Sequence, residues 1–140
     1  MRRLLLAAVL VAGCGGGTVT VTHDLTGSLT LEQDEKVEKT EGTCSGTGGY
    51  ADMHDGGDVI VRDGAGVIIA KGRLTFAPRP DETAILKLDE YRWSCPFAFA
   101  IRDVSDADFY VLTIGRRPDL TYSRAEMETM GWKVDLTLGP

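Results

Sequence analysis

The chain has 140 residues, 43% of them apolar, with 15 Lys and Arg against 21 Asp and Glu, giving a formal charge of -6 and a sequence pI near 4.8. That length supplies one domain with a modest core rather than two. The acidic balance excludes the basic footprint of a nucleic-acid binder, and the apolar content without a long low-complexity tract excludes disordered and fibrous classes.

Arg2 and Arg3 precede an unbroken apolar run over residues 4–12, which closes on Gly13 and Cys14. A bilayer span takes roughly 20 residues, so this run is too short to cross and reads as an export signal. The sequence Val11-Ala12-Gly13-Cys14 resembles the bacterial lipobox, in which the Cys is diacylated on sulfur and the signal is cut before it. On that reading residues 1–13 are a lipoprotein signal peptide and Cys14 is lipidated. Residues 14–17 are then a Gly tether, and residues 18–140 a single domain at the extracytoplasmic face of the cell membrane. The alternative is an ordinary signal peptide cut after Gly13, leaving Cys14 as a free thiol. Each buried acyl methylene contributes roughly 0.8 kcal/mol, so two or three chains hold a domain at a membrane with no transmembrane helix. Losing Arg2 and Arg3 takes the charge from -6 to -8, which repels the domain from anionic lipid.

From residue 18 the dominant period is two, the pattern of half-buried strands. Residues 18–22 place their valines on one face and residues 27–31 their leucines, giving a first and a second strand. Residues 32–43 carry acidic groups and two lysines around a lone Val37 and read as a solvated loop. Residues 58–63 and 67–71 are apolar, β-branched runs joined by Asp63-Gly64-Ala65-Gly66, a hairpin signal because Gly accepts the positive φ such turns need. Residues 76–81 hold two prolines and read as a loop, and residues 84–88 as a strand. Cys95, Phe97, Phe99 and Ile101 alternate with smaller residues in a central strand. Residues 109–115 are apolar on both faces and read as buried. Ser123 and Glu126 form a capping box that opens a helix over residues 124–130, and Gly131 stops it. Trp132, Val134, Leu136 and Leu138 alternate in the last strand. The count predicts an all-β antiparallel β-sandwich, immunoglobulin-like, of about seven strands with one short helix before the last. A small barrel is second.

With Cys14 assigned to lipid, Cys44 and Cys95 remain, and an even residual count in an exported domain points to one disulfide. A metal pair or catalytic thiol needs suitable neighbours, and the chain has two His and no C-x-x-C.

The stretch from Cys44 to Met53, Gly57 to Asp63, the run Cys95-Pro96-Phe97-Ala98-Phe99, Phe109-Tyr110 with Gly115 and Arg116, and Tyr122-Ser123 together resemble a group of small actinobacterial secreted or lipid-anchored proteins of unknown function. The resemblance covers roughly residues 27 to 139. It implies an exported β domain with Cys44 paired to Cys95.

Candidate sites are few. Residues 46–49 are Gly-rich but lack the Gly-Lys-Ser/Thr ending of a phosphate-binding loop, so they read as a turn beside the disulfide. Asp52, Asp55 and Asp58, with His54 among them, are the weak candidates for a cation, without EF-hand spacing. Asp103, Asp106 and Asp108 form a second acidic turn, read as solvated. Ser123 is a helix cap, and His23 and His54 sit in no recognisable triad motif. Tyr50, Tyr91, Trp93, Tyr110 and Trp132 read as core or half-core before exposed patch. Tyr50 and His54, in the loop over residues 46–58, are the candidates for a binding surface. The expected function is a non-catalytic cell-envelope binding module, with an envelope protein or glycan as partner, no cofactor and no nucleic acid. A cation-stabilised structural domain is the alternative, and an envelope hydrolase comes after it.

Overall fold

The computed structural model describes residues 19–33, 38–40, 43–78, 86–87 and 93–139. The signal segment, Cys14, the Gly tether and Tyr91 lie outside them. The elements in chain order are β1 (Thr22–Gln33), β2 (Glu38–Thr40), β3 (Thr43–Ser45), β4 (Asp58–Asp63), β5 (Ile68–Arg73), β6 (Thr75–Phe76), β7 (Leu86–Lys87), β8 (Trp93–Ser105), β9 (Phe109–Ile114), β10 (Leu120–Ser123), α1 (Arg124–Thr129) and β11 (Lys133–Leu138). One sheet runs β11-β1-β8-β6 with β7 also on β8, the other β10-β9-β4-β5, and β2 and β3 form a separate pair. The inner faces of the two main sheets share one apolar core, the layered solution expected of a β-sandwich.

Four expectations are corrected. The first predicted strand is displaced: residues 19–21 lie before β1 with Val19 and Val21 exposed, and β1 is the second predicted strand extended in both directions, with Leu25, Gly27, Leu29, Leu31 and Gln33 on one inward face. The predicted loop over residues 32–43 is shortened accordingly, because β1 runs to Gln33 and residues 38–40 pair with β3. The sandwich is also not wholly antiparallel. α1 carries the chain from the edge of one sheet to the edge of the other, and β11 arrives parallel to β1, Thr26 opposite Lys133 through Leu31 opposite Leu138. In β9 only Tyr110, Leu112 and Ile114 turn inward, so Phe109, expected to be buried, is half exposed.

The central strand is as read. Cys95, Phe97, Phe99 and Ile101 are buried, and the alternation then slips so that Val104 is the next buried residue. A β-bulge causes this: Asp103 adopts φ 56 and donates its backbone N–H to Asp24 Oδ1 at 3.2 Å. Asp tolerates that left-handed conformation better than bulkier residues do. The β4–β5 hairpin closes through Asp63, whose Oδ1 accepts the N–H groups of Ala65 and Val67 at 2.9 Å, with Gly66 at φ +84. The capping box at Ser123 is formed, and buried Met127 closes the core beneath α1.

Candidate functional site

Strand directions define two ends. The start of β1, the β4–β5 and β8–β9 turns and α1 gather at one end. The end of β11, the β9–β10 turn and the loop over residues 46–58 gather at the other.

That loop is built from its anchors. Cys44 and Cys95 form a disulfide with Cα atoms 5.8 Å apart, both fully buried. Gly46 donates to Met53 O at 2.8 Å, and a Cβ on Gly46 would strike the Tyr50 carbonyl, so only glycine fits beside this turn. The Gln33 carboxamide, itself buried, takes the Thr47 N–H at 3.0 Å and donates to the Thr47 carbonyl at 3.2 Å. Met53 is fully enclosed in the core.

Asp52 fixes the loop to the β9–β10 turn. Its Oδ2 accepts the Arg116 N–H at 2.7 Å and its Oδ1 the Arg117 guanidinium at 3.0 Å. Arg117 also donates to the Gly49 carbonyl at 2.8 Å and lies 5.2 Å from the Tyr50 ring centroid, a cation–π contact. Tyr50, a candidate for the binding surface, is half-buried and packed against the core. His54 is exposed, with Nδ1 2.8 Å from the Asp55 carbonyl oxygen. Asp55 accepts the Phe76 N–H at 2.8 Å, and Asp58 pairs with Arg73 at 3.6 Å on the surface. The three candidate cation ligands therefore turn to three different partners. Among the described residues no group of three His, Cys, Asp or Glu is placed to hold a metal ion.

Beside Arg117 the sandwich is open. β10 and β11 are edge strands of opposite sheets on the same side of the molecule, and α1 bridges them at one end only. At the other end a cleft of about 220 Å³ opens between them, lined by Leu29, Leu112, Ile114, Leu120, Leu136 and Leu138, with Pro118, Thr137 and Arg117 completing it. A cavity of about 150 Å³ with such a lining takes up benzene, so this cleft has room for one large apolar group.

In the second acidic turn, at the opposite end, Asp103 and Asp108 are exposed as expected, but Asp106 is half-buried in a network. Asp106 accepts from His23 Nε2 at 2.9 Å and pairs with Arg124 at 2.8 Å, and Arg124 reaches Asp108 at 3.2 Å. The His23 hydrogen bond, against some desolvation and with help from Arg124, holds the Asp106 carboxyl below its ordinary range. His23 stacks on Trp132 with ring centroids 3.8 Å apart, and Trp132 meets Tyr110 edge-on at 5.1 Å. Burial first raises the Tyr110 hydroxyl's pKa, and that hydroxyl accepts the Ala107 N–H at 2.8 Å. Trp132 sits at φ 59, an unusual conformation for a bulky residue, where its backbone N–H donates to the Met127 carbonyl at 2.9 Å and its carbonyl accepts the Thr26 N–H at 3.0 Å. The His23–Asp106 pair is thus the hub of a structural clasp, with its ring covered by Trp132. Tyr110 is buried and Trp132 half-buried.

Arg117, Arg124, Met53 and the cleft leucines carry no local sequence signal for these roles. Arg117 lies 65 residues from Asp52 and Arg124 sits 18 positions beyond Asp106 with no shared motif.

Comparison of the chain with family models, with curated proteins and with solved structures finds no match. No helix among the described residues is long and apolar enough to cross a membrane.

Proposed function

We propose that the chain is a lipoprotein of the cell envelope, anchored through Cys14, whose domain is a non-catalytic module that binds an envelope protein at the open cleft. The observation that carries the reading is the cleft itself, where the partly exposed rim of Leu120, Leu136 and Leu138 opens onto buried Leu29, Leu112 and Ile114 between two parting sheet edges. Its lining offers few polar groups, which suits an apolar side chain from a protein better than a glycan that needs hydrogen-bond partners. The braced loop over residues 46–58, with exposed His54, and Arg116 of the β9–β10 turn border the same end and supply polar contacts around it.

The anchor rests on the order of charged, apolar and small residues ending at Cys14, and a disulfide suits an oxidising, exported setting. The resemblance to small exported actinobacterial proteins points the same way. An immunoglobulin-like type for the sandwich belongs to this proposal too. Its disulfide joins β8 to the β2–β3 pair and does not tie the two main sheets together as in antibody domains.

Crosslinking pull-down from intact envelopes tests the reading. Leu120, 36% exposed on the cleft rim, accepts a charge without entering the core. Leu120→Asp is expected to lose the captured protein while the melting temperature stays nearly unchanged. A protein captured equally by both forms, or capture of glycan alone, overturns the cleft as the binding site. Cys14→Ser is expected to move the domain out of the membrane fraction, and sedimentation of the variant with an intact signal by mass overturns the anchor.

A further inference from the structure

We infer that the end of the sandwich from which the chain leaves toward Cys14 is a lipid-contact surface, with Phe109, Val67 and Ile68 seated in the bilayer interface beside Val19 and Val21. The inference rests on the lipid-anchor reading above.

The described residues leave seven large apolar side chains exposed, and five of them are at this one end: Val19 at 90%, Val67 at 58%, Val21 at 53%, Phe109 at 50% and Ile68 at 45%. Strand register puts them together. Thr22 faces Ser105 at the end of β8, and the Asp106 N–H in the following turn donates to the Val21 carbonyl at 3.1 Å. Three residues later that turn delivers Phe109. Phe109 lies against the β4–β5 hairpin, where a side chain on Gly64 would begin 3.4 Å from its Cβ, and Val67 and Ile68 leave the same hairpin. Ile68 pairs with Arg62 and Arg62 with Val111, two residues from Phe109 along β9, so Ile68 and Phe109 share the outer face of the four-stranded sheet. A monomer with one scattered exposed valine needs no explanation, but a concentration of this kind on one tip marks a surface with a partner.

The partner is named by the tether. Cys14 and Val21 are seven residues apart, which at most 3.6 Å per residue spans about 25 Å. β1 alone is 12 residues, about 40 Å at 3.3 Å each. An anchor so short holds the near end of the domain at the membrane while the cleft end stands away from it. The bilayer is therefore the large apolar phase within reach of this tip. Charge selects the kind of lipid. Asp106 pairs with Arg124 and Asp63 turns into its own hairpin, while Asp24, Asp103 and Asp108 stay exposed, so the tip carries no excess of basic groups to attract anionic headgroups. Contact is apolar, so a zwitterionic surface serves and added salt does not weaken it.

The test uses the lipidated full-length mature chain in phosphatidylcholine vesicles. Phe109→Trp places a reporter at the tip, with Ile68→Trp as a second should the first not fold, and the wild-type chain sets the background of the native indoles. Vesicles containing phosphatidylcholine brominated on its acyl chains are expected to quench the added indole at least about threefold more than the background, equally at low and high salt. A reporter left unquenched on protein that floats with the vesicles overturns the lipid-contact surface and leaves the anchor standing. Burial of the reporter in native envelopes but not in pure lipid means that a protein covers the tip, and overturns it likewise. Protein that fails to float with the vesicles overturns the anchor reading, and this inference with it.

Discussion

Gly27 and Phe99 face each other across β1 and β8, and the Phe99 ring fills the space in which a Gly27 side chain would begin. Glycine usually weakens a strand, because it packs nothing and loses the most backbone freedom on folding. Here the aromatic ring restores the missing cover. Gly27→Ala is expected to force the buried ring off its rotamer at a cost of about 1–3 kcal/mol. Urea unfolding measures it. Because the clash is specific, Gly27→Ala with Phe99→Leu is expected to cost less than the sum of the two single changes. Strict additivity would show that the ring is not what excludes the methyl.

This relationship marks the boundary of what the sequence discloses. The alternation in Cys95, Phe97, Phe99 and Ile101, the Asp63 hairpin and the Ser123 capping box are local patterns, and local physics determines them. The extension of the second predicted strand back to Thr22 depends on residues 22–26 finding partners on β8, far along the chain, which no window of residues contains. The parallel pairing of β11 depends likewise on where α1 sets the chain down. For the site, the cysteine pair is arithmetic. The placing of Asp52 is not: its carboxylate, a cation candidate among three neighbours, is taken by Arg117 from far along the chain. The cleft is even less legible, since Leu29, Leu112, Leu136 and Leu138 read as inward-facing strand residues, and only the parting of β10 and β11 opens a space beside them.

Asp52 is expected to be the most sensitive polar residue of the loop end. Its side chain is 13% exposed and that of Arg117 24%, and the Arg117 Nε is already buried without a hydrogen-bond partner. Asp52→Ala removes the acceptor for Arg117 and for the Arg116 N–H together. Leaving a shielded guanidinium unpaired costs about 2–3 kcal/mol. The urea midpoint should fall correspondingly, and hydrogen exchange should quicken over residues 46–53. A midpoint within experimental error of wild type would show that the pair is solvent-screened.

Asp106 is expected to give the fold part of its acid sensitivity. Its folded pKa is lowered, first by the His23 hydrogen bond and then by Arg124, so its contribution is complete above the ordinary unfolded value of about 4 and is lost as pH falls through the folded one. Glu126, lowered by the Ser123 backbone N–H and hydroxyl, and Asp135, lowered first by Ser28, act with the same sign. Asp106→Asn isolates one of the three. The stability difference between wild type and variant should be larger at pH 6 than at pH 3, measured by urea unfolding at each. A difference independent of pH means that the Asp106 contacts do not depend on its charge.

The Cys44–Cys95 bond is expected to stabilise both the domain and its loop end. It links positions 51 apart, and the chain-entropy account of such a loop gives about 4 kcal/mol, an upper guide because strain subtracts from it. Cys44→Ala with Cys95→Ala should therefore lower the urea midpoint strongly, and the double change avoids leaving one free thiol in the core. Both residues are fully buried, so the bond is shielded from solvent while the fold persists. Native protein should resist a mild thiol reductant, and the same reductant should act quickly once urea opens the domain. The bond holds β3 to β8 at the root of the loop over residues 46–58, so exchange in that loop should rise in the double variant before the main sheets open. Peptide mapping without reductant, on protein taken from its envelope, gives the direct answer. Two alkylatable thiols there would remove the brace from the loop end, and with it the argument that residues 46–58 form a rigid border for the cleft.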